Sequence, residues 1–288
     1  MRRRDVLGVL AALPFAACKR KATTVRVGSK NFSESVLLGE IVAQKLEGAG
    51  VTVDRRANLG GTFVCHQALV SGDLDVYVEY TGTAFSAILK DERRLTDPAQ
   101  VRNEVSRIWS ERFNAVWTAP LGFDDTFAIL VRGKDARGWG IHTVSELVSK
   151  APEMHPGFGY EFVERSDGYA AFTKAYGLVF KDKPATMELS LTYRALAEGK
   201  VDLVAGNSTD GLIEKLDLVQ LADDRKFFPP YEAAPVVRRA VLDANPAVGP
   251  ALAALGGKID AATMRRLNRA VDVDGRAVPD VAREFLRT

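Results

Sequence analysis

The stretch Gly72-Asp73-Leu74-Asp75-Val76-Tyr77-Val78-Glu79-Tyr80-Thr81-Gly82-Thr83 decides how this chain is read. Leu74, Val76 and Val78 alternate with polar or amphipathic residues at period two, and Gly72 and Gly82 punctuate the run. That pattern predicts a strand ending in a tight polar turn. In open α/β sheets ligands bind beyond the carboxyl ends of strands, and this turn offers an aromatic ring, Tyr80, with the hydroxyls of Thr81 and Thr83. The phrase occurs twice. Ala195-Leu196-Ala197-Glu198-Gly199-Lys200-Val201-Asp202-Leu203-Val204-Ala205-Gly206-Asn207 repeats the thirteen residues from Ala68 to Tyr80, so that Asn207 falls on Tyr80. In both copies a glycine suited to the left-handed position stops a helix and an apolar strand follows. A two-lobed protein explains the repeat, and so does the frequency of this idiom in α/β chains.

On the N-terminal side, Thr24–Gly28 reads as a first strand with Lys30 beyond its carboxyl end. Ser33 caps a helix carrying Leu38, Val42 and Leu46 at four-residue spacing. Val51–Asp54 is the next strand, and Gly60-Gly61-Thr62 leads into a helix bearing Cys65 and His66. Asp97-Pro98 opens a helix through Arg112, and Ala115–Trp117 is a short strand. Gly122–Val131 then begins a new strand-helix series: a capping box at Thr143–Glu146, a strand at Gly157–Tyr160, a helix opened by Asp167-Gly168, the second copy of the phrase, and Leu218–Leu221. Phe227–Tyr231 returns the chain to a strand at Ala234–Arg238, and helices follow to the end. A block inserted between two joins is the topology of a two-lobed hinge protein with a ligand in the cleft. The expected division is lobe I at 25–124 and 231–288 and lobe II at 125–230.

The chain has 288 residues, 47% hydrophobic and 26% charged, an ordinary globular composition. Its net charge of +2 is carried by Arg2, Arg3 and Arg4 against Asp5, so the remainder is near neutral and nothing points to nucleic acid. Basic Met1–Arg4 followed by an apolar run from Val6 to Ala17 reads as a signal peptide over 1–17, too short for the ~20 residues of a membrane span. Phe15-Ala16-Ala17-Cys18 resembles a bacterial lipoprotein processing site, with Phe15 where leucine is usual. The resemblance implies lipidation of Cys18, a tether over 18–24, and an exported protein held at the periplasmic or cell-surface face of the membrane. Arg3-Arg4 also fits a twin-arginine signal, and both export routes stay open.

Six ordered stretches resemble the substrate-binding proteins of ABC transporters for glycine betaine, choline and related osmoprotectants: Gly28–Glu34, Asn58–Thr62, Glu79–Thr83, Gly122–Ala128, Glu161-Phe162 with Arg165 and Asp167-Gly168, and Phe228–Tyr231. The resemblance spans nearly the whole chain after the leader. It implies a type II periplasmic-binding-protein fold, α/β in two lobes, joined by a hinge of two crossover segments with a ligand cleft between them. In that family aromatic rings hold a quaternary ammonium while Lys, Thr and Arg hold its carboxylate. By motif position these roles carry over to Tyr80, Phe127 and Tyr231 for the rings and to Lys30, Thr83 and Arg165 for the carboxylate. Phe127 stands where tyrosine is common, and Asn207 where a fourth ring is common. The implied protein is a monomer that uses no cofactor, takes a small quaternary-ammonium ligand and serves an ABC permease and its ATPase.

The chemistry of the ligand agrees with that assignment. A trimethylammonium head has no N–H to donate, so it is held by ring faces and diffuse negative potential, at about 0.5–2 kcal/mol per ring. A missing ring worth about 1.4 kcal/mol weakens binding about tenfold. Carnitine, proline betaine and an ergothioneine-like thione are alternative ligands, and a sensory module of the same fold is an alternative role. Enzyme readings carry little. Cys65 and His66 are neighbours on a helix and point about 100° apart. His66, His142 and His155 lack metal-ligand spacing. Asp124-Asp125 reads as a cap or shaper of the crossover.

Overall fold

The computed structural model describes residues 24–288; the signal peptide, Cys18 and all of the tether except Thr24 lie outside them. The first half runs β1 (Val25–Gly28), α1 (Ser33–Gly48), β2 (Val53–Arg56), α2 (Thr62–Ser71), β3 (Val76–Tyr80), a π-helical turn at Thr83–Ile88, α3 (Pro98–Phe113) and β4 (Ala115–Trp117). The middle runs β5 (Phe127–Arg132), α4 (Gly133–Trp139), two 3₁₀ turns, β6 (Gly157–Gly159), α5 (Tyr160–Glu164), α6 (Tyr169–Tyr176), β7 (Ala185–Met187), α7 (Leu189–Ala197), β8 (Val204–Asn207), α8 (Leu212–Lys215) and β9 (Leu218–Leu221). The chain returns through β10 (Ala233–Arg238) to α9 (Arg239–Ala244), α10 (Val248–Ala253), α11 (Ala261–Asp272) and α12 (Val278–Phe285).

The strands form two main sheets. One has the order β2-β1-β3-β10-β4, with β1 parallel to β2 and β3 and the returning β10 antiparallel to β3 and β4. The other has the order β8-β5-β9, antiparallel throughout, and Pro156 bridges to Leu203 to bring the small parallel pair β6-β7 alongside. The chain leaves the first sheet after β4 and re-enters it at β10. These two crossings pair with each other at Asp124 and Glu232, and Asp124 Oδ2 accepts the Tyr231 amide at 2.7 Å.

β3 is the centre of the first sheet. Val76, Val78 and Tyr80 face one core, against β1 and α1, while Tyr77 faces a second built from α2, α3 and β4 around Trp109 and Trp117. All five residues of the strand are buried. The alternation of Tyr77 and Glu79 with valines therefore reports two buried faces; Glu79 is buried because Lys30 neutralises it. Where the sequence predicts a tight polar turn after Tyr80, the chain continues into helix, with Ala84, Phe85 and Ala87 buried. Gly82 makes that path open: a Cβ there would stand 2.7 Å from the Tyr231 ring and from the Pro230 carbonyl oxygen.

Other local readings shift. Ser33 is the first residue of α1 and supplies no cap bond to its amides. β2 begins two residues later than predicted, at Val53. Glu146 accepts the His142 and Thr143 amides at 2.7 and 2.8 Å, but the capping box it completes opens a 3₁₀ turn. Asp97 does cap α3, accepting the Ala99 amide at 2.8 Å ahead of Pro98. The helices α10, α11 and α12 pack against α1. The repeated phrase is realised twice, with Gly72 and Gly199 both at positive φ (87° and 73°), followed by β3 in one sheet and β8 in the other.

Candidate functional site

Tyr80 and Asn207, the ends of the two repeated strands, face one cavity of about 420 Å³ between the sheets. Lys30, Thr83, Phe127, Arg165 and Tyr231 line it as well, so all seven residues singled out from the sequence meet there. Six arrive from a strand end or a crossing, and Arg165 from the end of α5. Lys30 follows β1, Tyr80 ends β3, Thr83 opens the helix after it, Phe127 begins β5 and Tyr231 precedes β10. Phe127 pairs directly with Asn207 across the antiparallel ladder, which sets the two side by side.

The rings do not meet as a closed box. Phe127 and Tyr231 lie edge to face with centroids 5.8 Å apart, and Phe162 and Phe228 back Phe127 at 4.8 and 5.3 Å. Tyr80 stands apart from them, with Phe32 6.3 Å away. Asn207 leaves one wall polar. Tyr160 borders the cavity near the rim, half exposed, whereas Tyr169 packs on Phe158 and Phe180 away from it.

Both cations are already partnered. Lys30 Nζ donates to Glu79 Oε1 at 2.5 Å and lies 5.1 Å from the Tyr80 ring centroid. Arg165 is held by Asp167 through Nε–Oδ1 at 2.8 Å and Nη2–Oδ2 at 2.6 Å, with Nη1 donating to Thr83 Oγ1 at 3.2 Å. Its guanidinium carbon is 4.9 Å from the Phe127 centroid and 5.9 Å from that of Tyr231. Burial works against the guanidinium charge, yet Asp167 more than offsets it and holds the Arg165 pKa above its ordinary value. Tyr231 donates its hydroxyl to Asp167 Oδ2 at 2.9 Å, so one carboxylate orients both an arginine and a ring. Three of the five guanidinium N–H groups are taken, and two remain for a bound carboxylate.

Among the lining residues not singled out as ligand-binding from the sequence, three stand out. Phe32 lies within the Gly28–Glu34 motif and adds an apolar wall. Glu161 stands at the rim, 3.7 Å from Arg165 Nη1. Asp125 joins the crossover as expected, its amide donating to Tyr231 O at 3.1 Å beside the Asp124 bond to the Tyr231 amide, and it also lines the cavity. Thr81 turns the other way, donating its hydroxyl to Pro230 O at 3.1 Å and accepting the Glu232 amide at 3.0 Å. Cys65 and His66 do not meet as a nucleophile and base. Burial pushes the Cys65 thiol up to about 12 and the His66 imidazole, wedged between Trp109 and Phe113, down to about 4.

Two α/β lobes joined by paired crossings, with a ring-lined cavity between them, define a binding protein of the periplasmic-binding type. The chain belongs to the family of substrate-binding domains of ABC-type glycine betaine transport systems, whose model matches residues 23–288. It is 36% identical over 267 residues to the carnitine transport binding protein OpuCC of Listeria monocytogenes, covering 92% of this chain and 86% of that one. It is 34% identical over 283 residues to a glycine-betaine-binding protein of Pseudomonas aeruginosa, covering 95% and 90%. A crystal structure of a glycine betaine/carnitine/choline ABC transporter superposes with a TM-score of 0.75 at 32% identity, over 91% of this chain and 97% of that one. The family is one of transport binding proteins, which act outside the cytoplasm, and not an enzyme class. No helix among the described residues is long and apolar enough to cross a membrane.

Proposed function

We propose that the protein captures glycine betaine or a related small quaternary-ammonium zwitterion and presents it to an ABC permease driven by an ATPase. The observation that carries this reading is the meeting of ring faces from Tyr80, Phe127 and Tyr231 with the buried donors Lys30, Thr83 and Arg165 in one cavity. The rings take the methylated head, for roughly 1.5–6 kcal/mol in total. The two free N–H groups of Arg165, with the Thr83 hydroxyl, take the carboxylate, for about 1.5–3 kcal/mol. In this reading the lobes are 25–124 with 231–288 and 125–230, and they close about the Asp124–Glu232 crossing. Arg165 already reaches Thr83 across the cleft, so a ligand bound between them favours the closed arrangement. Processing at Cys18 tethers the body to the membrane as a lipoprotein, and the protein acts as a monomer.

Asn207 widens the range of heads the cavity accepts, which keeps carnitine and ergothioneine-like betaines as alternative ligands. The test is calorimetric titration with glycine betaine, choline and carnitine in parallel. Saturable binding weakened by Tyr231→Ala and by Arg165→Ala is the expected outcome. Silence with all three ligands, or unchanged affinity in both variants, would overturn the assignment.

A further inference from the structure

The two cations of the cleft have their own carboxylates, but two buried carboxyl groups beside it have no cation. Glu34, from α1, accepts the Tyr80 hydroxyl at 2.7 Å on Oε1, and on Oε2 the Asn268 amide at 2.7 Å and the Thr209 hydroxyl. Asp125, which borders the cavity, accepts the Thr209 amide at 3.2 Å and the Ser208 hydroxyl at 3.3 Å. Thr209 thus bridges the two groups, its hydroxyl on Glu34 and its amide on Asp125. Both residues are buried. Among the described residues no Lys, Arg or His nitrogen pairs with either: Lys30 is committed to Glu79 and Arg165 to Asp167.

We propose that Glu34 and Asp125 act as one acid pair beneath the rings and supply the counter-charge for the ligand's cationic head, so that capture of the head is coupled to loss of a proton from the pair. The inference rests on the quaternary-ammonium reading of the site and adds to it a charge partner and a proton.

Two buried carboxyls bridged by one threonine, with no cation on either, disfavour double ionisation, so a proton resides on the pair. Burial raises the pKa of both; the charge of Glu34 pushes Asp125 further up, while hydrogen bonding, that of Asp125 included, works against the rise in Glu34. The surrounding groups do not relieve this. Asp210, beyond β8 and half-buried, faces the pair, and Asp272 on α11 faces Asp210. Glu79 lies behind Tyr80 on β3 with Lys30 bonded to it. Asp124 turns to the Tyr231 amide. Asn268 on α11, Thr209 and Tyr80 contribute hydrogen bonds but no positive charge. A cation seated against Tyr80 and Asp125 provides the missing charge. It favours the ionised form of Asp125, and the displaced proton passes from Asp125 to the solvent while Glu34, which accepts three hydrogen bonds, stays ionised. The Tyr80–Glu34 hydrogen bond then places residual negative charge behind the ring whose face holds the head.

The test uses the full chain and choline as probe, because choline carries a cationic head and no carboxylate. Titration calorimetry in buffers of differing ionisation enthalpy, at pH 5 to 8, reads the proton number directly. The wild-type protein should release up to one proton per choline, more at low pH than at high pH. Asp125→Asn should abolish that release and weaken choline about tenfold to a hundredfold, while Glu34→Gln, the second variant, should reduce the release. Circular dichroism confirms that each variant is folded. Binding of choline or glycine betaine with no proton release at any pH, or release and affinity unchanged in Asp125→Asn, overturns the inference and leaves the functional reading intact. If no quaternary ammonium binds the wild-type protein, the functional reading falls and the counter-charge role with it. Carboxyl-carbon NMR of the free protein then decides the pair itself: two widely separated titration steps support it, and two independent steps near ordinary values overturn it.

Discussion

Replacing Asp167 by alanine separates what the protein needs for stability from what it needs for its ligand. The Arg165 and Asp167 side chains are 4% and 10% exposed, and the carboxylate accepts from Nε, from Nη2 and from the Tyr231 hydroxyl. Breaking a buried pair by removing one partner costs about 3–5 kcal/mol, because the surviving charge loses its compensation. In a protein of this size each kcal/mol moves the melting temperature by about 2–4 °C, so the variant should melt roughly 6–20 °C lower. Asp167→Asn keeps an acceptor and should lose less. A ligand carboxylate can then replace the missing one, with a charge-assisted interaction worth about 1.5–3 kcal/mol. Differential scanning calorimetry with and without ligand reads both effects. Glycine betaine should raise the melting temperature of Asp167→Ala more than that of the wild type, and choline should not. If the variant melts with the wild type, or if glycine betaine and choline shift it equally, then Asp167 neither balances nor directs Arg165 and the reasoning is refuted.

Gly82→Ala places a methyl 2.7 Å from the Tyr231 ring, and an overpacking cost of about 1–3 kcal/mol should appear in urea denaturation, together with weaker ligand binding; an unperturbed midpoint would contradict the packing. The imidazole of His66 is held near 4, below its ordinary 6.5, by burial first and Arg112 second, so its contribution to stability is complete above pH 6.5 and declines as the pH falls from 6.5 to 4. The stability difference between wild type and His66→Gln should therefore shrink across that window, and a difference independent of pH would reject the account. Cys18→Ser should move the exported protein from the membrane fraction to the soluble one, and continued membrane association would refute lipidation at that residue.

The legible part of this molecule was whatever local sequence controls. Glycine stops and Asp97-Pro98 fixed the ends of α2 and the start of α3, because caps and backbone conformation are decided by neighbours, whereas the run from Gly122 becomes a strand only at Phe127. Strand ends in turn carry side chains to the cleft, and for that reason Tyr80 and Asn207, matched only as copies of one phrase, face the same cavity. Charge was not legible in the same way. Lys30 reads as an available cation until Glu79, 49 residues on, is seen to bond it. Arg165 reads as an open clamp, and its partner is two residues away but also bonded to Tyr231, 64 residues further on. Asp125 differs from Asp124 only in which way a crossover turns: one holds the Tyr231 amide, while the other faces a cavity and Glu34 from α1. Binding specificity in this fold depends on that kind of fact. In the function proposed here the rings attract any soft cation, and the balance between paired cations and unpaired carboxyls, set by contacts between distant segments, would determine which one is held.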